Sequence, residues 1–243
     1  MIKFFRRIRQ KFLEEGRLSK YLIYAIGEIL LVVIGILIAL QINNWNKKKV
    51  TNTYELRLLQ GLHSSIENKI EDWSFILNNN HKADSSYQIV KKCLEVLCPN
   101  DDQLHRHFAL AFAGWYHELN STAYETAKVY GLNFIQNEQT VNHLSDMYER
   151  WQKIYVEVNR DKKGFYNNIA GPYIYDKFER KAREEGHLYI PYDYVSLTRD
   201  RKIKSIIEQF QFYRQNIIRW QEQVLEDMHE AMTLLEKEIE RYE

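Results

Sequence analysis

The residue most able to do chemistry stands in the most apolar part of the chain. Glu28 interrupts the run YLIYAIGEILLVVIGILIALQI, residues 21–42, in which fourteen side chains are Leu, Ile or Val. An ionisable group inside such a run is expensive and by default suggests a site. Ala25, Glu28, Val32, Gly35 and Ala39 fall on one face of a helix. Small residues on that face permit close approach of a second helix, and a carboxyl can bond across the contact. Two chemistries fit: a carboxyl that serves helix pairing, and a carboxyl that takes up and releases protons.

Other polar constellations are weaker. Glu184-x-x-His187 and Glu226-x-x-His229 each match half of a di-iron carboxylate motif. The first straddles Gly186 at an expected helix end, and the second falls on the outer face of a long apolar seam, so neither is expected to hold metal. His105 and His107 sit two apart on a helix and point to opposite sides. Gly-x-Ser-x-Gly, Gly-rich phosphate loops and Cys-x-x-Cys are absent, so no catalytic residue, cofactor or metal is expected and the chain reads as non-enzymatic. Asn120-Ser121-Thr122 is a formal glycosylation sequon, irrelevant if the protein is bacterial. Tyr173, Tyr175, Tyr189, Tyr192 and Tyr194 either line a binding surface or anchor helices and loops. Cys93 and Cys98 are the chain's two cysteines. Five apart in a continuous helix, they point about 140° from each other, and we expect two separate, buried, free thiols. A bond would require the helix to end between them, which Pro99 permits.

These residues need elements to position them. At 1.5 Å per residue the apolar run spans roughly 33 Å, enough to cross a bilayer with some tilt. Its aliphatic residues contribute about −0.3 to −0.6 kcal/mol each and outweigh the penalty for Glu28, at most about 3 kcal/mol. No small-x-small cleavage site follows, and the run reads as a signal anchor over residues 21–43. Tyr21, Tyr24 and Trp45 occupy interfacial positions. Residues 1–20 carry seven Lys or Arg against Lys47, Lys48 and Lys49 on the far side, which favours a cytoplasmic N-terminus. Phe5, Ile8 and Phe12 share one helical face of that basic arm, either a short helix on anionic lipid or an irregular arm.

The whole chain holds few Pro (3) and Gly (9) but many Tyr (17) and Trp (5), and residues 44–243 behind the span read as long helices. Formal net charge is +1, so nothing suggests nucleic acid. Helical stripes run through Tyr54, Leu58, Leu62, Ile66, Ile70, Trp73 and Leu77; through Leu104, Phe108, Phe112, Trp115 and Leu119; and through Val141, Leu144, Tyr148, Trp151, Tyr155 and Val158. The longest takes Ile203, Ile206, Phe210, Tyr213, Ile217, Trp220 and Val224, then Ala231 and Leu234. Asn100, Asp101 and Asp102 are cap candidates, Thr122 and Glu125 form a capping-box pattern, and Gly131 is the expected stop. A further helix is expected from Tyr173 to Glu184, and Gly186–Ser196 reads as an ordered aromatic loop because no hairpin signal appears. The expected fold is all-α: one transmembrane helix, then a helical bundle with a long C-terminal helix.

The opening MIKFFRRIRQK and the run KYLIYAIGEILLVVIGILIALQINNWN, residues 20–46, resemble the start of a large family of single-span bacterial membrane proteins. STAYETAKVYGLNFIQNEQTVNHLSDMYE, residues 121–149, is similar to a looser stretch of its soluble part. That family is catalogued as a domain of unknown function, with members in gram-negative bacteria. The resemblance implies an inner-membrane protein with a periplasmic helical domain, and brings no activity, cofactor or catalytic residue. The expected function is a membrane-anchored binding or scaffolding module, touching the bilayer and a protein partner, and self-associating through its span and C-terminal helix. The alternative is a subunit of a proton-motive-force-coupled membrane complex that uses Glu28.

Overall fold

The computed structural model describes residues 18–113, 122–184 and 186–242. The basic arm with Phe5, Ile8 and Phe12, and Trp115, Leu119, Asn120 and Ser121, lie outside the described residues, as do the side chains of Tyr21 and Tyr24. The chain divides into two units, Met1–Tyr54 and Glu55–Glu243.

Helix α1, Leu18–Val96, carries the apolar run. It is long and apolar enough to cross a membrane, and its most apolar window is not buried at all in the first unit. Ile23 and Leu31 are 72% and 74% exposed there.

Among its described residues the second unit is helical apart from one small hairpin and short connections. Helix α2, Asp102–Phe112, starts at Asp101, whose side chain accepts from Leu104 N at 3.0 Å. Helix α3, Thr122–Tyr130, ends at Gly131, where an added Cβ would lie 2.9 Å from Leu58. Helix α4, Glu138–Phe165, is capped by Asn137. It passes into a π-helical turn, Tyr166–Ala170, and then helix α5, Gly171–Lys177. Strands β1, Phe178–Arg183, and β2, Gly186–Pro191, pair antiparallel. Helix α6, Tyr194–Arg199, leads into α7, Arg201–Ile239, capped by Asp200. Cross-helix pairs show that α1 and α7 run antiparallel: His63 with Glu236 at 3.4 Å, Asn80 with Gln221 at 2.7 Å, and Lys91 with Glu208 at 3.7 Å.

The inward face of α7 follows alternating steps of four and three, from Ile203 through Ile207, Phe210, Arg214, Ile217 and Gln221 to Leu235. The stripe expected through Tyr213, Trp220 and Leu234 is therefore one residue out of register at those points. A purely apolar reading passes over an arginine and a glutamine, yet these take the inward positions because Asn80 meets both. On α1 the same holds: Tyr54 is 48% exposed, while Glu55, Leu59, Ile76 and Asn80 point inward with Leu62, Ile66 and Trp73. Two apolar clusters result. One gathers Tyr87, Val90, Phe108, Phe178, Ile203 and Phe210. The other gathers Leu59, Leu62, Leu144, Trp151, Val224 and Met228.

Two expectations are corrected. The helix expected to run from Tyr173 to Glu184 stops at Lys177, and the expected loop contains β2. Between the strands the sequence offers Glu184-Glu185 rather than Asn-Gly, and β1 buries only Phe178, so no alternating pattern announces it. The hairpin is held instead by aromatic packing: Phe178 lies 5.0 Å from Phe108 and Tyr189 lies 5.4 Å from Phe112, centroid to centroid. Gly186 supplies the positive φ, +125°, at the start of β2.

Cys93 and Cys98, expected to be free, form a disulfide with Cα atoms 4.8 Å apart. Helix α1 ends at Val96, and Leu97 adopts a positive φ of 56°. The amides of Leu97 and Cys98 both donate to the carbonyl of Cys93, at 3.1 and 3.4 Å. This is the left-handed helix stop in which the second residue past the end folds back over the third from the end. Five is the spacing of those two positions, so the stop places the two sulfur atoms together.

Phe210→Ala in the full-length protein should cost about 3–5 kcal/mol of stability in detergent-solubilised denaturant titrations. Trp220→Ala should cost less, since Trp220 sits at the edge of the seam. A larger loss at Trp220 than at Phe210 would overturn the register of α7.

Candidate functional site

Between the two apolar clusters lies a buried polar layer. Arg214 is 1% exposed, and Asn80 is fully buried. One guanidinium nitrogen of Arg214 donates to the Asn80 side-chain carbonyl, and another donates to the backbone carbonyl of Ala113, just past α2. The Asn80 amide donates to Gln221 Oε1 at 2.7 Å. The ring of Tyr87 lies 5.9 Å from the guanidinium carbon. Heptad geometry puts these groups together: Asn80 and Tyr87 are one heptad apart on α1, as are Arg214 and Gln221 on α7.

Helix α4 adds Lys162, buried at 6% exposure. Burial first, and the charge of Arg214 second, lower its ammonium pKa to about 7. Lys162 also lines a cavity of about 560 Å³ with Lys163 and Asn159. The walls are the rings of Phe112, Tyr155, Tyr166 and Phe210. These walls brace one another, with Phe210 6.1 Å from Phe112 and 6.4 Å from Tyr166. The π-helical turn begins at Tyr166, and an added Cβ on Gly171 would lie 2.9 Å from the Tyr166 carbonyl oxygen. Such turns recur at functional sites because they displace a side chain out of helical register. The Tyr166 hydroxyl is pushed up to about 12, by burial first and then by Tyr189 and Tyr175, so it stays protonated.

The residues singled out from sequence have separate fates. Glu28, Gly35 and Ala39 lie in α1, and a Cβ added to Gly35 meets nothing within 4 Å. Trp45 is 66% exposed, with the Lys49 ammonium 5.8 Å from its ring centroid. Glu184 and His187 fall on the hairpin, where His187 contacts Arg180 at 3.1 Å, and Glu226 and His229 lie on the exposed side of α7. Among the described residues no group of three or more His, Cys, Asp or Glu side chains is placed to hold a metal ion. His105 bonds Asn100 Oδ1 at 2.8 Å, whereas His107 bonds Ser86 Oγ at 3.1 Å. The tyrosine group splits: Tyr173 bonds Asp200, Tyr194 bonds the Cys93 carbonyl at 2.9 Å, and Tyr175 and Tyr192 are exposed. Tyr189 and Tyr175 approach Tyr166.

Sequence reasoning passed over Arg214, Lys162 and Asn80. The available signal was positional: Arg214 follows Phe210 by four and precedes Ile217 by three, a charged residue in a seam position.

The model of the family of unknown function DUF6090 matches residues 28–171, and the chain belongs to that family. No curated protein and no solved structure matches it.

Lys162 carries a signed pH dependence. Its folded pKa, about 7, lies below the unfolded value of about 10.4. Between those values the unfolded chain binds the extra proton, so stability rises with pH across that window and is flat in this respect below it. Lys162→Met removes the slope. The stability advantage of Lys162→Met over the parent should be greatest near pH 6 and shrink toward pH 9, measured by denaturant unfolding. Parallel stability curves for the two proteins would show that Lys162 does not titrate in this way.

Proposed function

We propose that this member of a family of unknown function is a membrane-anchored binding module. Residues 21–43 cross the inner membrane of a gram-negative bacterium with the N-terminus in the cytoplasm, and the helical unit that begins at Glu55 works in the periplasm. The observation that carries the reading is a bare apolar helix in the same chain as a disulfide-stapled helical unit. Disulfides persist in oxidising compartments, and the excess of Lys and Arg before the span favours the same orientation.

Binding rather than catalysis is favoured by how the unit spends its buried polar groups. Asn80, Gln221 and Arg214 hold helices to one another, and Asp227 accepts from Trp151 Nε1 and Arg150 Nη2, both at 2.6 Å, joining α4 to α7. The apolar seam of α7 is consumed inside the unit. Self-association therefore falls to the span, where the face of Glu28, Gly35 and Ala39 suits helix pairing.

Orientation is tested on the native cysteines. Membranes quenched in acid, denatured and alkylated should show no labelling of Cys93 or Cys98 until a reductant is added. Full labelling without reductant would place the unit in a reducing compartment and sink the proposal. The role of Glu28 is tested by Glu28→Gln, which keeps a side chain able to bond across a helix contact but cannot exchange protons. We expect membrane insertion, co-purification of tagged and untagged copies, and in vivo function all to be retained. Retained assembly with lost function would instead support the proton-coupled complex.

A further inference from the structure

We propose that Lys47, Lys48 and Lys49 form a collar that binds the headgroups of anionic phospholipids in the leaflet where the span emerges. The inference deepens the binding-module reading and rests on its membrane span, by naming a lipid class for one surface of the first unit.

Along α1 the side chains follow the order of the layers of a bilayer. The apolar run ends at Ile42, Asn43 and Asn44 follow, Trp45 comes next, and the lysines stand five to seven residues past Ile42. At 1.5 Å per residue the lysine backbones lie roughly 7.5 to 10.5 Å beyond the hydrocarbon edge. Their long stems reach back into a headgroup layer roughly 5 to 7 Å thick. Helix α1 runs unbroken through this stretch, so its rise fixes these heights. Trp45 sits at the depth where interfacial aromatics anchor a span.

The lysines surround the helix. Three consecutive residues at 100° steps cover about 200° of its circumference, and all three are exposed. Lys48 and Lys49 follow Trp45 by three and four residues and share its face. The Lys49 ammonium lies 5.8 Å from the Trp45 ring centroid.

The helix offers this charge no partner of its own. Between Glu28 and Glu55 the chain has no Asp or Glu, so no carboxylate stands one turn from any of the three lysines. Glu55 itself is buried against Gln136. Adjacent like charges repel, and a headgroup with net negative charge relieves that repulsion. A zwitterionic headgroup brings its own cation beside its phosphate and relieves it less. The lysines also stand on the side of the span where Lys and Arg are usually scarce, and a lipid partner accounts for their place there.

The test uses the full-length protein in vesicles of four parts phosphatidylcholine to one part phosphatidylglycerol. Bromine, a tryptophan quencher, is carried high on the acyl chains of one lipid or the other. The difference between the parent and Trp45→Phe isolates Trp45 from the other tryptophans. Phosphatidylglycerol should account for about twice its bulk share of the quenching, or more, and high salt should reduce that excess. Combined Lys47→Gln, Lys48→Gln and Lys49→Gln should return the share to its bulk value while brominated phosphatidylcholine still quenches Trp45, which shows that the span remains inserted. Combined Lys→Arg at the same three positions should keep the excess. A bulk share in the parent overturns the proposal and leaves the span standing; an acidic protein as the natural partner of the lysines would give that result. An excess that survives the three Gln substitutions also overturns it, by assigning the lipid preference to another part of the chain. Absence of quenching by either lipid removes Trp45 from the bilayer surface, and the membrane reading falls with the proposal.

Discussion

The second unit turns on a guanidinium that water cannot reach. Burying Arg214 away from its partners would cost several kcal/mol, so any arrangement of α1, α2 and α7 that separates it from Asn80 and the Ala113 carbonyl is strongly disfavoured. A purely apolar seam tolerates sliding by a heptad at modest cost, because one aliphatic side chain replaces another. A seam with one arginine and one glutamine opposite one asparagine does not. The polar layer thus fixes the register of two long antiparallel helices and pins the chain leaving α2 to the same spot.

That layer also explains why the unit has two apolar clusters instead of one. Along α1 the upper cluster starts at Tyr87 and the lower ends at Trp73, with Asn80 between them. Along α7 the order reverses, with Phe210 above and Val224 below Arg214 and Gln221. Helix α4 joins the lower cluster through Leu144, Met147, Tyr148 and Trp151, then reaches the level of the polar layer with Lys162. Its departure from α-helical geometry at Tyr166 comes immediately afterwards, where Phe165 and Tyr166 turn onto Phe210. The cavity is the space left where a helix changes pitch beside a layer too polar to be filled by aliphatic side chains.

Much of this was legible in the sequence. The apolar run, a cap among Asn100, Asp101 and Asp102, the stop at Gly131 and the length of α7 all follow from local rules. What escaped was the pairing of partners distant in sequence. Stripe reading admits Tyr213 and Trp220 because they are large and apolar, and rejects Arg214 and Gln221 because they are not, although their suitability depends on Asn80 more than a hundred residues away. The hairpin escaped for the same reason: its strands are specified by Phe108 and Phe112 on another element. The disulfide is different in kind. Its signal was local, a five-residue spacing followed by Pro99, and it becomes readable once the helix stop is treated as a left-handed cap with a fixed pair of facing positions.

The logic of the polar layer repeats where the second unit begins. Glu55, 1% exposed, accepts from Gln136 N at 2.9 Å and Gln136 Nε2 at 3.2 Å, and bonds the hydroxyl of Tyr242. Burial and the two carboxylates of Glu55 and Glu238 push the Tyr242 hydroxyl upward, keeping it a donor. Glu238, 3% exposed, accepts from Asn137 Nδ2 and Arg241 Nη1, both at 2.6 Å. Here the N-terminal edge of the unit, the loop before α4 and the end of α7 are joined by directional bonds to two buried carboxylates. A hydrophobic contact at this place would accept many relative positions of those three segments; a carboxylate with named donors accepts few. The unit is therefore registered twice along α1 and α7, at Asn80 and at Glu55, and two fixed points on the same pair of helices determine their alignment in a way that one alone would not.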